Sequence, residues 1–233
     1  FGNTFILSET HSSWVANIKT GYQAQHELAI LGKELTRNIY NVPSSEKIYS
    51  YYQGCSEGGR GGWSQVQRFP EQFDGVVAGA PAFRWAQQQT NHLTGNVIEK
   101  TLDYYPPSCE LEKIMNMTVT SCDPLDGKTD GIVSRSDLCL KNLNWDSILG
   151  ASYSCAAVSG SAYASATPAQ TGKVSAKAIE VVKAFWKGLH DSDGKRVYFS
   201  YQPGSTFDDL LSAYDSTTDS WNLDISCLGG TWI

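Results

Sequence analysis

The chain has 233 residues, 41% hydrophobic and 12% aromatic, enough apolar material for a packed core in one large domain or two small ones. A formal charge of −6, with no basic run, argues against a nucleic-acid or anionic-membrane partner. No apolar stretch approaches the ~18 residues of a membrane span, and Phe1-Gly2-Asn3 show no signal-peptide pattern, which reads as a mature or processed piece of something longer.

Residues Ser13 to Tyr40 read as a long helix, because Ala24, Leu28, Leu31, Leu35 and Ile39 fall on one stripe at steps of three and four. Pro43 closes it. Lys47-Ile48-Tyr49-Ser50-Tyr51-Tyr52 is dense in aromatic and β-favouring residues and reads as a strand. It runs into Gly54-Cys55-Ser56-Glu57-Gly58, and the residues after it read as a helix, apolar at Trp63, Val66 and Phe69 and stopped by Pro70.

Gly-x-Ser-x-Gly between a strand and a helix is the pattern of a nucleophile elbow. The turn is so tight that a Cβ two residues before or after the serine should collide with neighbouring backbone, which accounts for Gly54 and Gly58. Ser56 is the candidate nucleophile, and the Glu57 backbone N–H, at a helix N-terminus, is a candidate oxyanion-hole donor. Cys55 is the weaker nucleophile candidate, since Gln53 and Glu57 occupy its flanking positions.

Gly75-Val76-Val77-Ala78-Gly79-Ala80 reads as a short apolar strand of a parallel sheet covered on both faces. Helix, strand, elbow, helix, strand is the order of a doubly wound, mostly parallel α/β fold. Residues 1–85 are therefore expected to be part of an α/β-hydrolase catalytic domain. After Pro81 aromatics scatter among polar loops, and residues 86–233 are expected to form a large inserted lid domain. Within it, Ser159 to Pro168 is a low-complexity connector. Ala178, Ile179, Val182, Phe185, Trp186 and Leu189 mark one face of a helix, and Arg196 to Gln202 reads as a strand.

A serine esterase on this fold needs an acid and then a histidine after the serine. His11 and His26 precede Ser56, His92 follows too closely to leave room for further strands and an acid, and His190 lies in a turn beside Asp191. Only two sheet strands can be identified, too few for a stable sheet. The catalytic acid and base are thus expected beyond Ile233, with this chain carrying only part of the fold.

A second constellation is Cys122-Asp123-Pro124-Leu125-Asp126-Gly127-Lys128-Thr129-Asp130-Gly131-Ile132, with Cys139 shortly after. Three carboxylates in a loop bent by two Asp-Gly turns can converge on a hard cation such as calcium, although the spacing is not that of an EF-hand; a solvated acidic loop is the alternative. A Cys122–Cys139 bridge would pin the loop. Six cysteines without a Cys-x-x-Cys pair favour structural disulfides in a secreted, extracellular protein over zinc. Asn116-Met117-Thr118 is an N-glycosylation sequon.

Gly-Cys-Ser-Glu-Gly-Gly-Arg at 54–60, Ala80-Pro81-Ala82 and the Cys-Asp-x-Leu-Asp-Gly-x-x-Asp-Gly block at 122–131 together resemble the tannase and feruloyl esterase family. The surrounding detail, including Trp63-Ser64-Gln65-Val66-Gln67-Arg68-Phe69 and Leu102-Asp103-Tyr104-Tyr105-Pro106-Pro107, is closer to the fungal tannases within it. The resemblance implies a serine esterase acting on phenolic esters, either galloyl ester and depside bonds of tannins or hydroxycinnamoyl esters of plant cell wall. It implies a structural calcium held by Asp123, Asp126 and Asp130 with the carbonyls of Lys128 and Ile132. It further implies that Cys55 bridges to a cysteine beside the catalytic His on a disulfide-linked second chain or segment that carries the catalytic Asp and His. None of the four histidines here has a cysteine neighbour. Cys109, Cys155 and Cys227 are left without an assigned pairing. Phe83, Trp85, Tyr104 and Tyr105 are either ring-stacking lid residues or core. A reading of another class is a non-catalytic, calcium-stabilised module binding polyphenol or carbohydrate.

Overall fold

The computed structural model describes residues 19–160 and 166–225. His11, the first turns of the expected long helix, the middle of the connector (161–165) and Cys227 lie outside the described residues. The chain divides into two compact units, Phe1–Trp85 and Ala86–Ile233.

In the first unit a π-helical turn, Lys19–Gln23, leads into helix α1, Ala24–Ile39. The helix ends because Asn41 takes a left-handed φ of 50°, two residues before Pro43 could break it. Strand β1 (Tyr51–Cys55), helix α2 (Glu57–Arg68) and strand β2 (Gly75–Gly79) follow. β1 and β2 pair in parallel, with Tyr51 opposite Gly75 and Cys55 opposite Gly79. The strand starts later than the run from Lys47 suggests. Before Gly75 the Asp74 N–H still donates to the Ser50 carbonyl at 2.7 Å, but the Asp74 carboxylate takes the Ser50 N–H at 2.8 Å and pairs with Lys47, so a side chain takes over one side of the ladder there.

Two apolar faces in this unit are not buried. No residue of α1 is buried, and Leu28, Leu31, Leu35 and Ile39 stay 60–70% exposed. On α2 the buried residues are Gly59, Gly61, Gly62 and Gln65, while Trp63 and Val66 are exposed. The helix lies on its strands through its glycines, which let backbones approach closely, rather than through its large apolar residues. With Phe69, Phe73 and Val76, Trp63 and Val66 line an apolar groove of about 500 Å³.

The second unit is built mainly of helices. Helix α3 (Trp85–His92) leads into it, followed by α4 (Thr94–Leu102), α5 (Ser108–Cys122), α6 (Ser136–Asn142), α7 (Trp145–Ile148) and α8 (Ala176–Lys187). Two antiparallel hairpin-like pairs complete it, β3 (Ser152–Cys155) with β4 (Gln170–Lys173), and β5 (Ser212–Asp215) with β6 (Ser220–Leu223). Helix α8 starts at Ser175, whose Oγ accepts the Ala178 N–H at 3.0 Å, an N-cap worth about 1 kcal/mol. Its face of Ala178, Ile179, Val182, Phe185 and Trp186 is buried with Ile114, Ile148 and Leu210. Burying a side chain such as Phe185 contributes roughly 1.5–3 kcal/mol.

Disulfides join Cys109 to Cys155 and Cys122 to Cys139. The stretch from Arg196 to Gln202 is not a strand, and its one ladder contact is an isolated bridge from Arg196 to His190. It packs through side chains instead, with Tyr201 stacked on Phe185 at 4.1 Å between ring centroids. Among the described residues no helix is long and apolar enough to cross a membrane.

Candidate active site

Ser56 joins β1 to α2 with φ 59° and ψ −115°. A non-glycine residue costs on the order of 1–3 kcal/mol in such a conformation and keeps it only where its surroundings over-determine it. Here both backbone groups of Ser56 are tied: its N–H donates to the Gly79 carbonyl at 3.1 Å, and its own carbonyl accepts from Ala82 and Arg60, each at 3.0 Å. The result is a sharp bend with the serine on its outer side, solvent-exposed.

Gly54 is required as the sequence suggests, since a Cβ there would lie 2.5 Å from the Gly58 carbonyl oxygen. Gly58 is not required for that reason. Its own Cβ would meet only the Tyr52 hydroxyl, at 3.9 Å, because the collision of the two positions occurs on the Gly54 side. The Tyr52 hydroxyl donates to the Gly58 carbonyl at 2.8 Å, and burial pushes its phenol pKa up.

Glu57 begins α2, so its N–H has no acceptor within the helix and, among the described residues, none outside it. It is free to bind an anion beside Ser56. The Glu57 side chain pairs with Arg60 at 3.3 Å, and the Arg60 guanidinium lies 6.0 Å from the Trp85 ring centre. Cys55 is exposed with a free thiol among the described residues.

No described histidine hydrogen-bonds to Ser56. His26 stacks on Phe69, 3.6 Å between rings. His190 Nδ1 lies 2.9 Å from the Gly188 carbonyl. His92 Nδ1 lies 2.7 Å from a carboxylate oxygen of Asp209, which also accepts from the Tyr201 hydroxyl. Sequence reasoning missed this last cluster, since 117 positions separate His92 from Asp209 and no local motif joins them. It also missed the segment after β2 as a partner of the serine. Ala80-Pro81-Ala82 carries a family signature, but the hydrogen bond from Ala82 to Ser56 has none.

In the 122–132 loop Asp123 is buried and accepts the Asp130 N–H at 3.1 Å. Asp126 accepts the Lys128 N–H at 2.9 Å and a hydroxyl bond from Ser134, the latter holding its carboxyl below the usual range. Asp130 accepts the Ile132 N–H at 3.2 Å. Each carboxylate caps its own loop, and among the described residues no group of three His, Cys, Asp or Glu side chains stands together as metal ligands do. The bonds to Asp123 and Asp130 each engage one carboxylate oxygen, and an ionised carboxylate has further lone pairs to offer a cation. Asn116 is exposed on α5, whereas Thr118 of the same sequon is fully buried and bonded to the Ile114 carbonyl at 2.8 Å. Phe83 is exposed; Tyr104 is partly buried against the core, its hydroxyl donating to Glu110 at 2.7 Å and accepting from Ser175 at 3.0 Å.

The model of the tannase and feruloyl esterase family matches residues 7–231. The chain is 46% identical to a tannase of Aspergillus oryzae over 241 residues, 95% of this chain and 41% of that protein. It is 33% identical to a probable feruloyl esterase B-1 of the same organism over 223 residues, 93% and 37% respectively. Among solved structures it resembles the tannin acyl hydrolase from Aspergillus niger with a TM-score of 0.89 and 55% identity, over 98% of this chain and 40% of that one. Feruloyl esterase B from Aspergillus oryzae aligns with a TM-score of 0.60 and 31% identity, over 81% and 35%. The chain spans about two fifths of the length of these relatives.

Proposed function

The chain belongs to the tannase and feruloyl esterase family, and from that premise we propose that it is the nucleophile-bearing and lid-bearing part of a secreted serine esterase that hydrolyses galloyl ester and depside bonds of tannins. The fold is part of an α/β-hydrolase. The observation that carries the chemical reading is the strained backbone of Ser56 on the strand-to-helix bend, beside the unbonded Glu57 N–H.

In this reading the Ser56 hydroxyl attacks the ester carbonyl and gives its proton to a histidine. The carbonyl oxygen becomes an oxyanion held in part by the Glu57 N–H. Collapse of the tetrahedral intermediate expels the alcohol, which takes the proton from the histidine, and leaves an acyl ester on Ser56. Water then attacks that ester, releasing the acid and restoring the serine. The catalytic Asp and His would come from a segment outside residues 1–233, in the same polypeptide or a second chain. That the chain spans two fifths of its relatives, and that no described histidine bonds to Ser56, support this. So do the bare faces of α1 and α2, which such a segment would cover. The exposed Cys55 would bridge to it.

The higher identity to the tannase than to the feruloyl esterase, 46% against 33%, supports galloyl over hydroxycinnamoyl substrates. Calcium in the 123–132 loop would use Asp123, Asp126 and Asp130 with the Lys128 and Ile132 carbonyls, tightening the loop without touching the reaction. Glycosylation at Asn116 would precede folding, because Thr118 is inaccessible once α5 is packed into the second unit.

The reading is tested on the whole protein with a serine-reactive phosphonate and with hydrolysis of methyl gallate against methyl ferulate. Modification at Ser56, loss of both in Ser56→Ala, and faster turnover of the gallate are the expected results. An assembled protein left unmodified at Ser56 defeats the esterase reading, and binding of phenolics without turnover replaces it with a non-catalytic module.

A further inference from the structure

Beyond Gly79 the chain turns back over the elbow as a short strap, Ala80-Pro81-Ala82. The strap begins with the Gly79 carbonyl taking the Ser56 N–H and ends with the Ala82 N–H donating to the Ser56 carbonyl, at 3.1 and 3.0 Å. Ser56 is thus held on both sides by one four-residue segment. Ala80 sits at φ 36°, on the left-handed side that non-glycine residues avoid, Pro81 restricts its own φ, and Ala82 is buried. The strap is itself constrained and buried at its far end, as a part that imposes geometry must be.

The strap can lie this close only because residue 59 has no side chain. A Cβ on Gly59 would stand 2.9 Å from the Pro81 Cα and 3.2 Å from the Gly79 carbonyl carbon, and nearer still to its oxygen. All three are backbone atoms and cannot swing aside. One residue earlier, at the last glycine of the Gly-x-Ser-x-Gly motif, the nearest atom to an added Cβ is 3.9 Å away, an ordinary contact. Both glycines lie in the regular helix α2, so backbone freedom does not distinguish them.

We infer that Gly59 is a positioning residue for the esterase reaction: through the strap Gly79–Ala82 it fixes the backbone of Ser56, and it, rather than Gly58 inside the motif, is the glycine after the serine on which turnover depends. The inference rests on the reading of Ser56 as nucleophile. A methyl group at 59 pushes the strap away by about 1 Å, lengthening both bonds to Ser56 and letting the serine relax toward an ordinary conformation. Misplacement of a reacting group on that scale costs about 10²-fold in rate.

The test uses the full-length enzyme with methyl gallate as substrate and reads kcat and KM separately, because a merely structural defect reduces the active fraction and is removed by active-site titration with a phosphonate. Gly59→Ala is expected to lower kcat per titrated site about 10²-fold with KM within twofold, and Gly58→Ala to keep kcat within threefold. Equal losses in the two variants, or a Gly59→Ala enzyme of normal kcat, overturn the inference. If Gly59→Ala yields no folded protein, Pro81→Gly carries the test, since it slackens the strap and adds no atoms. A kcat down about tenfold at unchanged KM and melting temperature supports the inference, and an unchanged kcat overturns it. Ser56→Ala is run alongside: if it retains turnover the nucleophile assignment itself has failed, an outcome distinct from any difference between the two glycines.

Discussion

Helices α1 and α8 carry the same kind of apolar stripe and meet opposite fates. In α8 the stripe of Ala178, Ile179, Val182, Phe185 and Trp186 is buried, while in α1 Leu28, Leu31, Leu35 and Ile39 stand in solvent. The contrast extends to the units that hold them. The connected core lies in the second unit, which also holds both disulfides found among the described residues. Among the described residues of the first unit Ala82 is the only buried apolar side chain, and the unit also carries the strained serine. Hydrophobic periodicity says that a helix has a face to cover. It does not say that the cover lies in the same stretch of chain. The second unit has the internal packing of a self-sufficient body, and the first leaves the apolar surfaces of its helices exposed.

The largest effect should come from separating them. Residues 86–233 alone are expected to melt in one cooperative transition with a near-ultraviolet circular dichroism signal from the packed Trp145, Trp186 and Phe185. Residues 1–85 alone are expected to show neither, because a two-stranded sheet and exposed helices do not outweigh chain entropy. A cooperative melt of 1–85 would break the contrast.

Single substitutions in residues 1–233 sharpen it. Phe185→Ala removes a ring that is completely buried and stacked on Tyr201, and should cost about 3–5 kcal/mol. Leu31→Ala, on a side chain 65% exposed, should change stability by less than about 0.5 kcal/mol. Denaturant melts of the two variants measure both, and a comparable loss at Leu31 would mean that α1 is already covered.

The same physics sets what could be read from the sequence. The elbow was legible at Ser56 and Gly54 because a tight turn imposes residue types locally. The α8 face was legible because its partners are plentiful. The packing face of α2 was not legible: Trp63 and Val66 obey helical periodicity, yet the side against the sheet is glycine, whose contribution is the absence of bulk and leaves no hydrophobic signal. Arg196 to Gln202 has strand-like residues but no neighbouring strand, so side-chain stacking won over pairing. The grip of Ala82 on Ser56 is a backbone hydrogen bond between positions 26 apart, which side-chain identity does not encode.

Acid–base behaviour gives a smaller and more discriminating test, because the two units place carboxylates in opposite environments. Asp74 in the first lies at the surface with Lys47, which holds it below the usual carboxylate range. Glu99 on α4 in the second is fully buried. Among the described residues it accepts a 3.4 Å bond from Asn96, and its other oxygen has no partner there. Burial first, and Asp224 to a lesser degree, raise its pKa from 4.5 to about 8. An acid with a raised native pKa keeps its proton in the folded state over a window where the unfolded chain has released it. The native state then binds more protons, and stability must fall as pH rises. That loss should begin near pH 4.5 and level off near pH 8, amounting to a few kcal/mol at a slope of up to about 1.4 kcal/mol per pH unit. Glu99→Gln, which keeps the shape and removes the ionisation, is expected to flatten the decline measured by urea melts across this window, whereas Asp74→Asn should leave it in place. A decline that survives Glu99→Gln would mean that another group causes it and that Glu99 does not carry the raised pKa its burial implies.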